Sequence, residues 1–114
     1  MSVLLLTNDL MFSSQVTAAA QQSQVAAQVA WNPAQLAEKS ADASLVLLDL
    51  AARFELADVM AELQSRSPRP KVIAFGPHGQ VDRLQAAAAA GCDAVLSRGE
   101  FHARLGEILQ LAAG

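Results

Sequence analysis

Short, unbroken apolar runs recur along this chain, and each is followed by a segment whose apolar residues fall at helical spacing. That alternation is the tightest constraint on the fold. A strand apolar on both faces needs cover on both faces of its sheet, and intervening helices supply it. Val3–Leu6 is the first such run, ended by Thr7, Asn8 and Asp9, residues able to cap a helix. Phe12, Val16, Ala19, Ala20 and Ser23 then repeat at helical intervals. Val25–Trp31 reads as a weaker strand, and Gln28 inside it points to an edge position. Asn32-Pro33 joins a cap residue to a proline at the first helical position, opening a short helix that ends near Ala41.

Leu45–Leu48 is the clearest buried strand and stops at Asp49. Phe54–Gln64 follows with Leu56, Val59, Met60 and Leu63 on one face, closed by Ser67-Pro68-Arg69-Pro70. Val72–Phe75 is the fourth strand, and Gly76-Pro77-His78-Gly79 is its loop. Val81, Leu84, Ala87 and Ala88 form the expected inner stripe of the next helix, with Gly91 placed to close it in a left-handed conformation. Ala94–Leu96 is the fifth strand. Phe101, Leu105, Ile108 and Leu109 mark one final helix, in which Gly106 costs about 1 kcal/mol relative to alanine.

Strands alternating with helices predict parallel βαβ units with right-handed crossovers, so helices cover both sheet faces in three α/β/α layers. One domain over residues 1–114 accommodates them, since 114 residues with 53% hydrophobic content can build one core. Loops at the strand C-termini carry function in such a sheet. Those are Thr7 to Asp9, Trp31 and Asn32, Asp49 to Ala51, Gly76 to Gly79, and Ser97 to Glu100. The net charge of −3 and eight scattered Lys and Arg residues argue against a nucleic-acid partner, which needs a clustered basic face. Cys92 is the only cysteine, so no internal disulfide forms and a reducing, cytoplasmic setting is expected. The Met1–Thr7 stretch lacks the charge and length of a secretory leader, and no apolar run is long enough to span a membrane.

At the strand ends the sequence resembles the receiver domain of bacterial response regulators. Three pieces carry the resemblance, which covers essentially the whole chain. Ser44-Leu45-Val46-Leu47-Leu48-Asp49-Leu50 resembles the receiver strand that ends in the phosphoacceptor aspartate. Ala89-Ala90-Gly91-Cys92-Asp93-Ala94-Val95-Leu96 is similar to the turn entering the fifth strand, and Lys71-Val72-Ile73-Ala74-Phe75 to the fourth strand. The resemblance implies a flavodoxin-like doubly wound (βα)5 sheet with strand order 2-1-3-4-5. It also implies site positions that this sequence keeps only in part. The acid pair that holds Mg²⁺ reads Thr7 and Asn8, with an acid one position later at Asp9. Asp49 takes the phosphoacceptor position. Gly76 stands where the family has a hydroxyl that binds the phosphoryl group, Arg98 where it has lysine, Gly99 where it has proline, and Val95 where a switching aromatic is common.

Charge separates the readings. Mg²⁺ favours hard anionic oxygens, and phosphoryl transfer to a carboxylate needs cations around the growing charge. With two acids replaced, no metal site is expected; Asp9 and Asp49 are the weak candidates, and Mg²⁺ enters only if the chain is a true receiver. Arg98 is able to fork onto a carboxylate, so a direct Asp49–Arg98 pair is expected to hold the third and fifth strand loops in one state. The first reading is therefore a non-catalytic pseudo-receiver acting by protein contact, without a cofactor. The resemblance suggests dimerisation or docking through helix four, strand five and helix five. The alternatives are a true receiver phosphorylated on Asp49, and an enzyme or small-ligand binder using the same loops. His78 and His102 read as surface residues, Cys92 as a small buried one, and Trp31 as either a ligand-site wall or a core lid.

Overall fold

A computed structural model describes residues 2–77 and 79–112. Five strands form one parallel sheet: β1 Ser2–Leu6, β2 Ala26–Ala30, β3 Ala43–Asp49, β4 Lys71–Gly76 and β5 Ala94–Ser97, in the order β2-β1-β3-β4-β5. The helices are α1 Leu10–Gln22, α2 Pro33–Lys39, α3 Leu56–Gln64, α4 Val81–Ala89, α5 Arg98–Ala103 and α6 Leu105–Gln110, with a 3₁₀ turn at Ser40–Asp42 after α2. This is the flavodoxin-like doubly wound arrangement. Among the described residues no helix is long and apolar enough to cross a membrane.

The period-two alternation of strand side chains divides the apolar residues between two cores. Val3, Leu5, Leu45, Leu47, Ile73, Phe75 and Leu96 face α1, α5 and α6, where Phe12, Val16, Phe101, Ile108 and Leu109 meet them. Leu4, Leu6, Val46, Leu48, Val72 and Ala74 face α2, α3 and α4, against Leu36, Val59, Met60, Leu63 and Ala87. Strands β1, β3 and β4 are therefore apolar on both sides, which is why each reads as an unbroken run. The β2 strand is an edge of the sheet and Gln28 in it is exposed, as the interrupting glutamine implies.

Capping follows the sequence signals. The Asp9 carboxylate accepts from the Phe12 amide at 3.0 Å and Asn32 from the Gln35 amide at 2.8 Å, while Ser97 and Glu100 form a reciprocal capping box at α5. Gly91 closes α4 at φ 101°, and a Cβ there would also lie 2.7 Å from Gln64 Nε2.

Three expectations need correction. The final helix is two helices, because Arg104 leaves helical geometry at φ −111° and ψ 13°. The break lets Phe101 and the Ile108–Leu109 pair both reach the same core. The inner stripe of α4 is Leu84 and Ala87; Val81 and Ala88 are exposed. Val81 is the first helical residue, where the chain has not yet turned onto the sheet. Gly76 belongs to the end of β4, paired with Ser97, and is not in the loop.

Candidate functional site

Strand order and parallel register bring the ends of β1, β3, β4 and β5 to one edge of the sheet. There Asn8, Asp9, Asp49, Ala51, Ala52 and Arg98 line an open depression of about 360 Å³. Thr7 and Gly76 lie beneath, and both are buried.

Asp49 is the centre of this group and only 2% exposed. A carboxylate out of water needs partners, and it has three. Thr7 Oγ1 donates to Oδ2 at 2.7 Å, the Ala51 amide donates to Oδ1 at 3.0 Å, and Arg98 Nη2 lies 3.7 Å from Oδ2. Thr7 works in both directions, since its hydroxyl also accepts from the Asp9 amide at 3.1 Å. One side chain at the end of β1 thus fixes both the strand-three carboxylate and the entry to α1.

Arg98 and Asp49 meet, but as an ion pair with no forked hydrogen bonding. The guanidinium is shared: the same Nη2 lies 3.5 Å from Asp9 Oδ2. Its carbon sits 5.1 Å from the centroid of the Phe12 ring, within cation–π range. Phe12 in turn packs on Phe75 at 4.9 Å, which stacks on Phe101 at 4.1 Å. The core aromatics thereby form the platform under Arg98, the only cation among the described residues that line the depression. Arg98 Nε is buried without a hydrogen-bond partner, so the guanidinium is held by charge and by the ring and not by a bond network.

Asn8 takes a role that composition and spacing do not reveal. Its Nδ2 donates to the Trp31 carbonyl at 2.9 Å, and its Oδ1 accepts from the Arg53 amide at 3.2 Å. The side chain stitches the β1–α1, β2–α2 and β3–α3 loops together. A carboxylate cannot do so, because one contact needs a donor and the other an acceptor. The Trp31 amide is itself held by Gln35 Oε1 at 2.8 Å, while the indole is 37% exposed. Trp31 is thus a loop anchor through its main chain.

Gly76 leaves less space than a missing side chain suggests. A Cβ there would lie 3.2 Å from Leu50 Cβ, with Leu84 Cδ2 at 3.8 Å. Leu50, the residue after Asp49, is tied to β4 by its amide on the Phe75 carbonyl at 2.8 Å and turns its side chain into this gap. An apolar plug fills the place beside the carboxylate.

Other singled-out residues lie elsewhere. Cys92 is half-buried against Met60, its sulfur 3.7 Å from the Met60 sulfur. Burial, reinforced by Asp93 and opposed by Arg69, pushes the thiol up to about 11. His102 is exposed, its ring set edge-on to Phe12 at 5.3 Å. His78 lies outside the described residues. Glu100 is held below the usual carboxylate range by the Ser97 amide and hydroxyl of the capping box.

No family model and no curated protein matches the sequence. Solved structures do match. A response regulator receiver domain from Clostridium thermocellum superimposes with a TM-score of 0.79 at 16% identity, covering 97% of this chain and 92% of that one. The beryllofluoride-activated NtrC4 receiver domain dimer gives 0.76 at 17% identity, covering 96% of each. The receiver domain of a sensor histidine kinase from Pseudomonas aeruginosa, with magnesium coordinated in its active-site cleft, gives 0.74 at 13% identity, covering 96% and 97%. This chain has the receiver fold.

The receiver fold implies a magnesium site at these strand ends, and the donors here do not fit one while Arg98 stands between the two carboxylates. Mg²⁺ asks for near-octahedral oxygen, usually including carboxylates. The Thr7 hydroxyl is neutral, donates to Asp49 and accepts from the Asp9 amide, and Asn8 commits both ends of its amide to main chain. Asp9 Oδ1 caps α1, Asp49 Oδ1 accepts from the Ala51 amide, and the two Oδ2 atoms face Arg98. Among the described residues no three His, Cys, Asp or Glu side chains group together to hold a metal ion.

Proposed function

We propose that this chain is a pseudo-receiver, a non-catalytic signalling or scaffold module that works through protein–protein contact and without phosphorylation. The observation that carries the reading is the state of Asp49: 2% exposed, with Thr7, Ala51 and Arg98 on its two oxygens. A phosphoryl donor must reach a free carboxylate oxygen in line and must find cations on its own oxygens. Here the nucleophile is covered. One arginine stands where a metal and a lysine serve the family, and Leu50 occupies the space beside Gly76 where a hydroxyl serves it. Receiver domains in general pass signals by contact and perform no turnover of their own, so the loss of the chemistry leaves the contact role intact.

The partner in this reading is a protein, either a two-component signalling protein or a second copy docking through α4, β5 and α5. Neither a cofactor nor a nucleic acid is required, and a cytoplasmic setting suits a chain with one unpaired thiol. The test is intact-mass spectrometry after incubation with acetyl phosphate and Mg²⁺. The reading expects no phosphorylated species. An acyl phosphate mapped to Asp49 overturns it.

One observation favours a second reading, a genuine but weak receiver. Asp9 and Asp49 both bring an Oδ2 within 4 Å of a single point, Arg98 Nη2, at 3.5 and 3.7 Å. Two carboxylates converging on one cation is the arrangement a metal would need if the guanidinium moved away, and the same mass measurement decides it.

A further inference from the structure

We propose that Arg98 is a tethered cation that occupies the place of a divalent metal between Asp9 and Asp49, so that the wild-type pocket excludes metal because it is already filled. This rests on the pseudo-receiver reading and names what locks its site.

Three observations meet at this residue. The first is charge. Two carboxylates and one guanidinium face the depression, leaving one net negative charge; without the arginine there are two. The second is placement. A single nitrogen, Nη2, lies within ion-pair distance of one oxygen from the β1–α1 loop and one from the end of β3. It thus spans the two segments that a bridging metal ion would join. The third is the way it is held. Nε is buried with no hydrogen-bond partner, and neither carboxylate contact is short enough to be a hydrogen bond. An arginine placed for hydrogen bonding would show its fork. Arg98 instead lies over Phe12, whose ring supports a cation without directing it. The group behaves as a charge in a socket, as a metal ion does.

The backbone fixes where the side chain begins. Arg98 is the first residue of α5, and Ser97 before it is locked by the reciprocal capping box with Glu100. The side chain therefore starts from a fixed point and spans the end of the sheet from β5 to β3 and β1.

The experiment uses Mn²⁺ as the probe, read by paramagnetic broadening of amide NMR signals. Wild type is expected to show no broadening confined to residues 8–10 and 49–51. Arg98→Met keeps the length and the packing on Phe12 but removes the charge. It is expected to gain that localised broadening, with Mn²⁺ affinity raised at least about tenfold, equivalent to 1.4 kcal/mol. Asp9→Asn in the Arg98→Met background keeps a good helix cap and should remove the gain. Arg98→Gln serves the same purpose if the methionine variant folds poorly. Two results overturn the proposal: wild type binding Mn²⁺ in this pocket as well as the variants do, or neither variant gaining affinity. Either is distinct from failure of the pseudo-receiver reading, which shows as phosphorylation of wild-type Asp49.

Discussion

Replacing Thr7 by valine isolates the contact that holds Asp49. Valine has the same branched shape, so the strand and both cores keep their packing, while the hydroxyl is lost. Thr7 is fully buried and its hydroxyl donates to a carboxylate oxygen of Asp49 at 2.7 Å. A hydrogen bond to a charged group contributes about 1.5–3 kcal/mol. The Asp9 amide loses its acceptor at the same time, though it lies nearer solvent. The expected total is about 2–3 kcal/mol, close to the upper end for one deleted hydroxyl. With a urea dependence of about 1.5 kcal/mol/M, the midpoint should fall by about 1.3–2 M. Equilibrium urea unfolding, followed by circular dichroism and by the single tryptophan, measures it. Thr7→Ser keeps the donor and should recover more than half of the loss. A valine variant within about 0.5 kcal/mol of wild type, the range of an inconsequential substitution, would refute the claim that Thr7 restrains Asp49.

Three further predictions follow from the same geometry. Asn8→Asp trades the donor to the Trp31 carbonyl for a repelled oxygen, so it should cost about 1 kcal/mol, lower the melting temperature by about 4 °C and alter Trp31 fluorescence; an unchanged melting point and spectrum would remove the three-loop stitch. Gly76→Thr drives a side chain against Leu50 Cβ, 3.2 Å from where the new Cβ must sit, and should destabilise by about 1–3 kcal/mol in chemical denaturation; a stabilised variant would show that the gap beside Asp49 is open. Cys92, raised to about 11, should alkylate with iodoacetamide at a rate still climbing past pH 10, because the thiolate is scarce until its pKa is reached; a rate levelling near pH 9 contradicts the burial.

The sheet was legible because burial on both faces leaves a local trace: Leu45–Leu48 must be apolar throughout, and the two cores require it. Cap residues are equally local, so Asn32, Asp9 and Gly91 marked their helix ends correctly. What the chain hides is set at long range. Asn8 looks like a lost acid until its amide is seen between Trp31 and Arg53, residues far along the sequence. Asp9 reads as a helix cap, which it is, yet its second oxygen faces Arg98 across the sheet. The break at Arg104 has no proline to announce it, and the nearby Gly106 falls inside the second helix. Alanine carries little information about direction, so Ala88 could not be told from Ala87 by pattern. The Asp49–Arg98 pair was anticipated from chemistry, but its sharing with Asp9 and its support by Phe12 depend on the packing of four different elements.

Amide NMR of the uniformly labelled protein with Mg²⁺ and beryllofluoride probes the central claim most directly, because the fluoride complex mimics a phosphoryl group only where a carboxylate is free to bind it. The account predicts spectra that superimpose before and after addition at residues 7–9, 49–53 and 95–98. Saturable shifts centred on Asp49 and spreading into β5 would contradict it.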